Sequence, residues 1–374
     1  MKMLLLGDVS PSKASRESFR AKDVDALFSD AVSIFENRDF IFVNLECALT
    51  ESDVPIKKIG PPLKGPIETA EVLKKVGVDL CGLSNNHIFD LGKRGVADTL
   101  KALDDAGLAY TGFGDNYEDS RKNYVFEKNG EKFAIIAVSE HEYCYALDDR
   151  MGARPFDEIH TLEDIRAAKA EGARVIVIYH GGKEFCRYPS PRHRKVCQGM
   201  VRAGAELILS QHSHCVGSYE EYEGATIVYG QGNFHFVLHQ STYCPDMDMW
   251  TEELAVEYDT DTKKVTYIPL RGSLTDASIM LAPDGEAILK RFEERSQILK
   301  DKKAWREEWH KFCYGYANPK KYLWTLENAV REYHEAQEDP NYPERMFPHY
   351  LTCEAHTDVW REMFPSSNEF NEKD

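Results

Sequence analysis

Short apolar runs that stop abruptly at a polar residue constrain the fold of this chain more than any other feature. The run at residues 175–180 reads Val-Ile-Val-Ile-Tyr-His and leads into two glycines. Four similar runs, at residues 4–8, 41–46, 80–87 and 207–214, end in carboxylate, amide or imidazole side chains. Runs of this length are typical of strands, and their lack of alternation favours strands buried on both faces of a parallel sheet. The polar residues would then gather beyond the carboxyl ends of the strands, where ligands bind in such sheets.

Segments with helical spacing separate these runs, which predicts an α/β layered fold. The predicted helices cover residues 24–35, 67–76, 93–106 and 192–203. A hairpin is predicted at residues 124–138, because Asn129-Gly130 is a typical tight-turn pair. Short strand-like segments between residues 217 and 270 predict a second sheet packed on the first.

From about residue 284 the composition changes to long charged helical segments that carry four tryptophans. We expect a helical C-terminal extension whose aromatic side chains pack on the core, with a partner surface as the alternative. The predicted division is therefore an α/β domain at residues 1–283 and an extension at residues 284–374.

The formal net charge of −17 argues against a general nucleic-acid or anionic-membrane surface, since both need a cationic footprint. An anionic substrate would have to be met locally, by metal or by a few basic side chains. Nine scattered cysteines, an odd number with no Cys-x-x-Cys pair, indicate reduced thiols. No run approaches the roughly 18 apolar residues of a membrane span, and the first strand begins too close to Met1 for a signal segment. These observations predict a cytoplasmic protein with no membrane insertion.

His212 and His214 are separated by a single residue. In an extended chain, residues i and i+2 point to the same side, so both imidazoles would face one centre. Four further residues are expected at the same edge of the sheet: Asp8, Glu46, Asn86 and His180. Imidazole, carboxylate and amide donors together suit Mn, Fe or Zn, and they can hold two divalent ions if one carboxylate bridges them. Each residue taken singly is explained as well by a helix cap or a satisfied core position, but the convergence of six favours a metal site.

These residues lie in motifs whose combination is specific. The motifs are Gly7-Asp8, Asn44-Leu45-Glu46, Ser84-Asn85-Asn86-His87 with Asp90, His180-Gly181-Gly182 with Glu184, His212-Ser213-His214 and Gly232-Asn233-Phe234. Over about residues 1–270 the sequence resembles the CapA family of capsule and poly-gamma-glutamate synthesis proteins, within the calcineurin-like metallophosphoesterase superfamily. The resemblance implies a four-layer α/β/β/α sandwich with a two-metal site on one rim.

The resemblance also implies a role for each residue. Asp8 and His214 match ligands of a first metal, and Glu46 matches the bridging carboxylate. The ligands of a second metal are matched by Asn86, His180 and His212. His87 matches the histidine that lies near the leaving group without binding metal, and is therefore the expected catalytic acid.

Two motifs depart from the usual phosphoesterase pattern. The usual Asp-x-His is here Asp8-Val9-Ser10, which offers no imidazole. The usual bridging aspartate, followed by Asp-Arg, is replaced by Asn44-Leu45-Glu46. We therefore expect the first metal site to be short of one ligand.

Basic residues near the predicted strand ends are candidates for binding an anionic substrate. Residues 50–66 should form an irregular loop, rich in proline and glycine, whose lysines are Lys57, Lys58 and Lys64. Past the central strand the candidates are Lys183, Arg187, Arg192 and Arg194. Arginine can bind phosphate or carboxylate in a bidentate manner. Solvated surface lysines and a basic patch at the start of a helix are the open alternatives.

The predicted function is that of a metal-dependent hydrolase acting on a phosphoester or a related bond through a metal-activated water. The expected partner is an anionic small-molecule or polymer substrate. One alternative is a metal-binding accessory protein for poly-gamma-glutamate or capsule synthesis that has no hydrolytic turnover. The other is hydrolysis of gamma-glutamyl amide bonds at the same site.

Overall fold

The strands and helices alternate along most of the chain in the computed structural model, which describes residues 1–58, 60–240, 244, 246–338 and 349–364. The strands are β1 (Lys2–Val9), β2 (Phe40–Leu45), β3 (Ala48–Leu49), β4 (Lys64–Gly65), β5 (Leu80–Gly82), β6 (Ala109–Thr111), β7 (Phe113–Gly114), β8 (Tyr124–Lys128), β9 (Glu131–Ser139), β10 (Gly152–Ala153), β11 (Ala173–His180), β12 (Ala205–Gln211), β13 (Tyr219–Tyr222), β14 (Ala225–Val228), β15 (Asn233–His235), β16 (Glu252–Asp259), β17 (Lys264–Gly272) and β18 (Ile279–Leu281). The helices are α1 (Arg16–Arg20), α2 (Val24–Phe28), α3 (Thr69–Lys75), α4 (Gly92–Ala106), α5 (Tyr117–Ser120), α6 (Glu158–Ala170), α7 (Pro191–Ala203), α8 (Met247–Thr251), α9 (Gly285–Ile298), α10 (Lys302–Phe312), α11 (Pro319–Glu338), α12 (His349–Thr352) and α13 (Glu354–Met363).

Two large sheets contain the strands that the apolar runs predicted. The order in the first sheet is β18-β17-β16-β1-β2-β5-β6, and β15 pairs with the end of β1. The order in the second sheet is β13-β14-β12-β11-β9-β8. The middle strands are parallel, with β1 beside β2 and β2 beside β5 in one sheet, and β11 between β9 and β12 in the other. The carboxyl ends of these strands therefore share one edge in each sheet.

The two sheets pack face to face, and helices cover both outer faces. Leu5 and Ile178 point into the layer between the sheets. The next residue of the first strand, Leu6, packs on the outer face with Leu103 of α4, and Val177 lies in the core beneath α6 and α7. Both faces of the strands are thus buried, which explains their unbroken apolar sequences. This four-layer α/β/β/α sandwich confirms the predicted fold class.

Local predictions succeed where a specific turn is required. β8 and β9 form the predicted antiparallel hairpin, and Asn129 and Gly130 have positive φ angles of 55° and 78° at its turn. The predicted helix at residues 24–35 is only partly right, because α2 ends at Phe28 and a 3₁₀ helix, Ser29–Phe35, follows it. Ser29 has a φ angle of 45°, which interrupts the α-helical hydrogen bonding.

Helices α9 to α13 follow the last strand, as predicted for the region after residue 284. Trp305 and Trp309 are buried, whereas Trp324 on α11 is 65% exposed and does not pack on the core as expected. Trp305 Nε1 donates a hydrogen bond to the Pro189 carbonyl at 2.9 Å, which ties α10 to the α/β layers. The division at residue 283 and the cytoplasmic location stay predictions. Within the described ranges, no helix has both the length and the apolar character needed to cross a membrane.

Gly7 brings β1 and β15 unusually close together at the edge where the predicted ligands lie. A Cβ atom at this position would lie 2.7 Å from the Gly232 carbonyl oxygen and 3.0 Å from the carbonyl carbon of Asn233. Because both neighbours are backbone, Gly7→Ala is expected to lower the free energy of unfolding by about 1–3 kcal/mol. Urea unfolding measures this, with Gly315→Ala as the control, since a Cβ atom at Gly315 meets open space. Equal stability of the two variants would contradict the expectation.

Candidate metal centre

The six predicted ligands meet at the carboxyl ends of the parallel strands. The first sheet and the loops after its strands supply Asp8, Glu46 and Asn86. The second sheet and the turn after β12 supply His180, His212 and His214. Each of the six is buried, with at most 4% of its surface exposed. The site is therefore assembled between the two sheets, with oxygen donors from one side and imidazoles from the other.

Glu46 and His180 lie at the middle of this arrangement. His180 Nε2 is 2.9 Å from Asn86 Oδ1 and 3.3 Å from Glu46 Oε1. Two groups have donor atoms within 4.8 Å of one another: Asp8 with Glu46 and His180, and Glu46 with His212 and His214. Glu46 belongs to both groups, which is the position that a bridging carboxylate takes between two ions.

The chain turns sharply at the two neighbouring histidines. β12 ends at Gln211, and His212 and His214 have φ angles of 82° and 52°, so the expected extended chain is wrong here. The two rings still converge, with centroids 5.9 Å apart. The His212 backbone N–H donates to Asp8 Oδ2 at 3.1 Å, which holds the turn against β1. A left-handed φ angle is uncommon outside glycine and concentrates at functional sites.

Glu46 shows most directly that the residues fit a metal ion. Both of its carboxylate oxygens are buried and have no hydrogen-bond partner among the described residues. Burial and the neighbouring Asp8 raise the pKa of Glu46 well above its usual range. Burial also lowers the pKa of His180 and of His212, which keeps both imidazoles neutral. Neutral imidazoles beside carboxylates form the donor set of a divalent transition metal, whose charge would satisfy both Glu46 oxygens.

Two asparagines hold the ligands in place. Asn44 Nδ2 donates to Asp8 Oδ1 at 2.7 Å and lies 3.2 Å from His180 Nδ1. His214 Nδ1 donates to Asn233 Oδ1 at 2.9 Å, which leaves Nε2 as the nitrogen able to bind metal. Asn44 belongs to the Asn44-Leu45-Glu46 motif that replaces the usual bridging aspartate and its following residues. It positions Asp8 and His180, and Glu46 supplies the carboxylate of the motif.

His87 lies beside the six residues, and its side chain is 13% exposed. Its Nδ1 atom is 2.6 Å from Asp90 Oδ2 and 3.0 Å from Lys58 Nζ. Burial, followed by the positive charge of Lys58, lowers the pKa of His87 to about 4. Because Asp90 holds Nδ1, the Nε2 atom is the ring nitrogen left for a substrate. Lys58, a predicted anion-binding candidate, thus lies in the site with its Nζ also bonded to Asp90 Oδ1.

A cavity of about 580 Å³ opens beside the centre, and Asn86, His87 and His214 contribute to its lining. Its basic lining residues are Lys13, Arg16, Lys58, Lys64, Lys183 and Lys321. Its acidic lining residues are Glu142 and Glu184. This local excess of positive charge contrasts with the net charge of −17 for the whole chain. A local excess of positive charge is the feature that an anionic ligand would require.

Two of the predicted substrate-binding residues line this cavity. Lys64 Nζ is 2.6 Å from Asp53 Oδ1, an exposed carboxylate. Lys183 Nζ is 3.3 Å from Glu184 Oε2, and both side chains are largely buried. Burial opposes the charged form of Lys183, but Glu184 outweighs it and raises the pKa of the amine above its usual range. Lys183 therefore carries a positive charge inside the cavity at neutral pH.

The three predicted arginines do not line the cavity. Arg192 Nε is 3.0 Å from Asp358 Oδ2, and Arg194 Nη2 is 2.6 Å from Glu220 Oε2. Arg187 has a buried Nε atom without a hydrogen-bond partner in the described part of the chain. The structure thus places Arg192 and Arg194 in ion pairs, and we do not include these arginines in the proposed binding site.

A family model described as bacterial capsule synthesis protein PGA_cap matches residues 2–237, which is more than half of the chain. The chain belongs to this family. All six proposed ligands and His87 lie within the residues that match the PGA_cap model. The predicted CapA resemblance is confirmed.

Curated relatives carry names from capsule and polymer synthesis. The capsule biosynthesis protein CapA of Bacillus anthracis is 30% identical over 244 residues, which are 63% of this chain and 59% of that protein. The PGA biosynthesis protein CapA of Bacillus subtilis is 28% identical over 62% of each chain. A probable polyglutamine synthesis accessory protein of Mycobacterium tuberculosis is 25% identical over 55% of this chain and 58% of its own. The chain thus spans about three fifths of the length of these relatives.

Two further residues that lie beside the proposed ligands were missed from the sequence. Glu142 Oε2 is 3.3 Å from His212 Nε2, and Glu142 Oε1 is 3.4 Å from His349 Nε2. Glu142 follows the apolar run of β9, which ends beside His180 of β11, so the strand-end pattern could have found it. His349 lies beyond the residues that match the family model. The sequence signal for this histidine was the His-x-x-x-Cys spacing of His349 and Cys353, which is a common spacing of metal ligands on a helix.

Proposed function

We propose that the chain is a metal-dependent hydrolase that cleaves a phosphoester or a related bond in an anionic substrate. The observation that carries the proposal is Glu46, which belongs to both groups of donor atoms and whose oxygens accept no hydrogen bond from any described residue. A buried carboxylate without a cation is costly, so the position is best explained by divalent metal. The donor set suits one or two ions of Mn, Fe or Zn.

The role proposed for each residue follows from the position of its side chain. Divalent metal would be held by Asp8, Glu46, Asn86, His180, His212 and His214. When bound, it supplies Lewis acidity towards the anionic centre under attack. Lys183 and Lys64 bind the negative charge of the substrate at the cavity lining. In the proposed reaction the attacking water bonds to the anionic centre and the bond to the leaving group breaks. His87 Nε2 would pass the proton lost by the water to the leaving atom, and the charge of Lys58 would stabilise the negative charge that develops there.

The test combines metal content with turnover. Elemental analysis of the wild-type protein is expected to give at least two equivalents of metal, and an aryl phosphate is expected to be hydrolysed with added manganese. His180→Ala removes the imidazole nearest Glu46. It is expected to remove at least one equivalent of metal and to lower turnover by more than the roughly 10- to 100-fold that follows loss of a residue supporting a ligand. His310→Ala is the control, because the His310 side chain is 56% exposed. Wild-type turnover in His180→Ala would rule out the proposal.

A second candidate function is a metal-bound accessory protein that binds polyglutamate without cleaving it. Two observations favour it: Val9-Ser10 provides no imidazole at the first motif, and one relative is described as an accessory protein. Calorimetry with short poly-gamma-glutamate, followed by product analysis, separates the candidates. Binding without products, and no phosphoester turnover, would support the accessory role. Release of glutamate would instead support hydrolysis of gamma-glutamyl amide bonds.

A further inference from the structure

A second group of metal-ligand side chains lies beside the centre and is formed partly by the C-terminal helices. Glu142, His349 and Cys353 each place a donor atom within 4.8 Å of the others. His349 is 8% exposed and Cys353 is 1% exposed, so the group is shielded from solvent. None of these three residues belongs to the six proposed ligands.

The local fold explains how the three side chains meet. Glu142 lies in the loop after β9, and His349 begins α12, whereas Cys353 precedes the first residue of α13. The Cys353 backbone N–H donates to the His349 carbonyl at 3.0 Å, which closes a helical turn. Residues four apart on a helical turn lie on the same face, so both side chains are presented to Glu142.

The contacts of Glu142 have the spacing of ligands around an ion. Its two oxygens lie 3.3 Å from His212 Nε2 and 3.4 Å from His349 Nε2. A tetrahedral zinc with bonds of about 2.1 Å separates its ligand atoms by roughly 3.4 Å. The Nε2 atom of His349 faces Glu142, so it is the nitrogen that would bind the ion.

The charge around Cys353 points the same way. Glu140 and Glu354 each place an oxygen within 4.8 Å of the Cys353 sulfur, in addition to Glu142. Carboxylates gathered around a buried sulfur favour a cation there, and a divalent ion is the cation that thiolate, imidazole and carboxylate bind together.

We propose that Glu142, His349 and Cys353 bind a further divalent ion of the zinc type. Glu142 and His349 line the cavity, so the fourth coordination position would face it. Glu142 would link this ion to His212, and the ion would attach α12 and α13 to the α/β layers. The proposal goes beyond the hydrolase function and does not depend on it, because the three ligands are distinct from the six of the main centre.

The test uses cobalt as a spectroscopic probe of the thiolate. Zinc is removed from the full-length protein and replaced by Co²⁺, and a thiolate-to-cobalt charge-transfer band is expected in the near ultraviolet. Cys353→Ser is expected to abolish the band. Cys313→Ser is the matched control and is expected to keep it, because Cys313 is also buried in the C-terminal helices but belongs to no ligand group in the described residues.

Metal counting gives a second reading that does not require the cysteine variant to fold well. Native mass spectrometry with zinc is expected to show one ion fewer in His349→Ala than in the wild type. Glu46→Gln is expected to keep the cobalt band while losing metal from the main centre, so failure of the hydrolase proposal is distinguishable from failure of this one. A wild-type protein without the band, or unchanged zinc content in His349→Ala, would overturn the proposal.

Discussion

Replacing Glu46 with glutamine is expected to empty the main centre and to lower metal-dependent kcat/KM by on the order of 10³-fold. The amide has the same shape as the carboxylate but no charge. It therefore cannot bind two divalent ions at once, which is the role proposed for the carboxylate that both groups of donor atoms share. The loss of metal affinity should exceed the roughly 10- to 100-fold that follows a change in a residue supporting a ligand. Elemental analysis and steady-state kinetics measure the two effects.

Glu46→Gln is not expected to lower the stability of the metal-free protein, although it is expected to lower metal binding and activity. The Glu46 side chain is fully buried and its oxygens have no hydrogen-bond partner among the described residues. Removing an unpaired buried carboxylate is expected to leave the metal-free Tm unchanged or higher. Glu36→Gln, at an exposed position, is the control for both readings. Full metal content in Glu46→Gln, or a lower metal-free Tm together with normal activity, would show that Glu46 serves the fold instead.

Replacing Lys58 with methionine is expected to reduce turnover by roughly 10²- to 10³-fold while leaving the metal content unchanged. Lys58 Nζ bonds Asp90 and lies 3.0 Å from His87 Nδ1, but it contacts none of the six ligand side chains within the described structure. Its side chain is 3% exposed, so its charge acts in a setting with little solvent screening. The loss should be larger for substrates with poor leaving groups than for aryl phosphates, because the proposed role is to stabilise the leaving group.

The neighbouring Lys57 offers a matched control on the same loop, because it is exposed. Lys57→Met is expected to behave as the wild type, and Lys58→Arg, which keeps the charge, is expected to recover part of the activity. Circular dichroism checks that the loss is not unfolding, since breaking a buried ion pair costs about 3–5 kcal/mol. An equal loss for good and poor leaving groups would contradict the role assigned to Lys58.

The fold was predictable because the position of each strand in the layers is indicated by the apolar pattern of that strand alone. The run ending at His180 has apolar residues on both faces, and this pattern occurs only where helices and another sheet cover both sides of a strand. Polar residues at the carboxyl ends of parallel strands meet at one edge of the sheets. Asp8 and His180 could therefore be predicted to lie close together. The turn at His212 and His214 was not predictable, since its left-handed backbone depends on a contact with Asp8, 204 residues away.

Long-range ion pairs account for the rest of what the sequence did not reveal. Arg192 follows the central strand and looked available for a substrate, yet its partner Asp358 is 166 residues away. His349 reaches Glu142 from the C-terminal helices, 207 residues further along the chain. Local spacing contains no information on either contact, whereas strand patterns and helix caps are local by nature.

The cavity is lined by residues from two parts of the chain. Asn86, His87 and His214 lie within residues 2–237, whereas Tyr322 and Tyr350 lie on helices outside that range. A different C-terminal segment would therefore change the lining of the cavity without changing a ligand of the main centre. The C-terminal helices could in this way change the size and chemistry of the cavity while the proposed ligands stay the same.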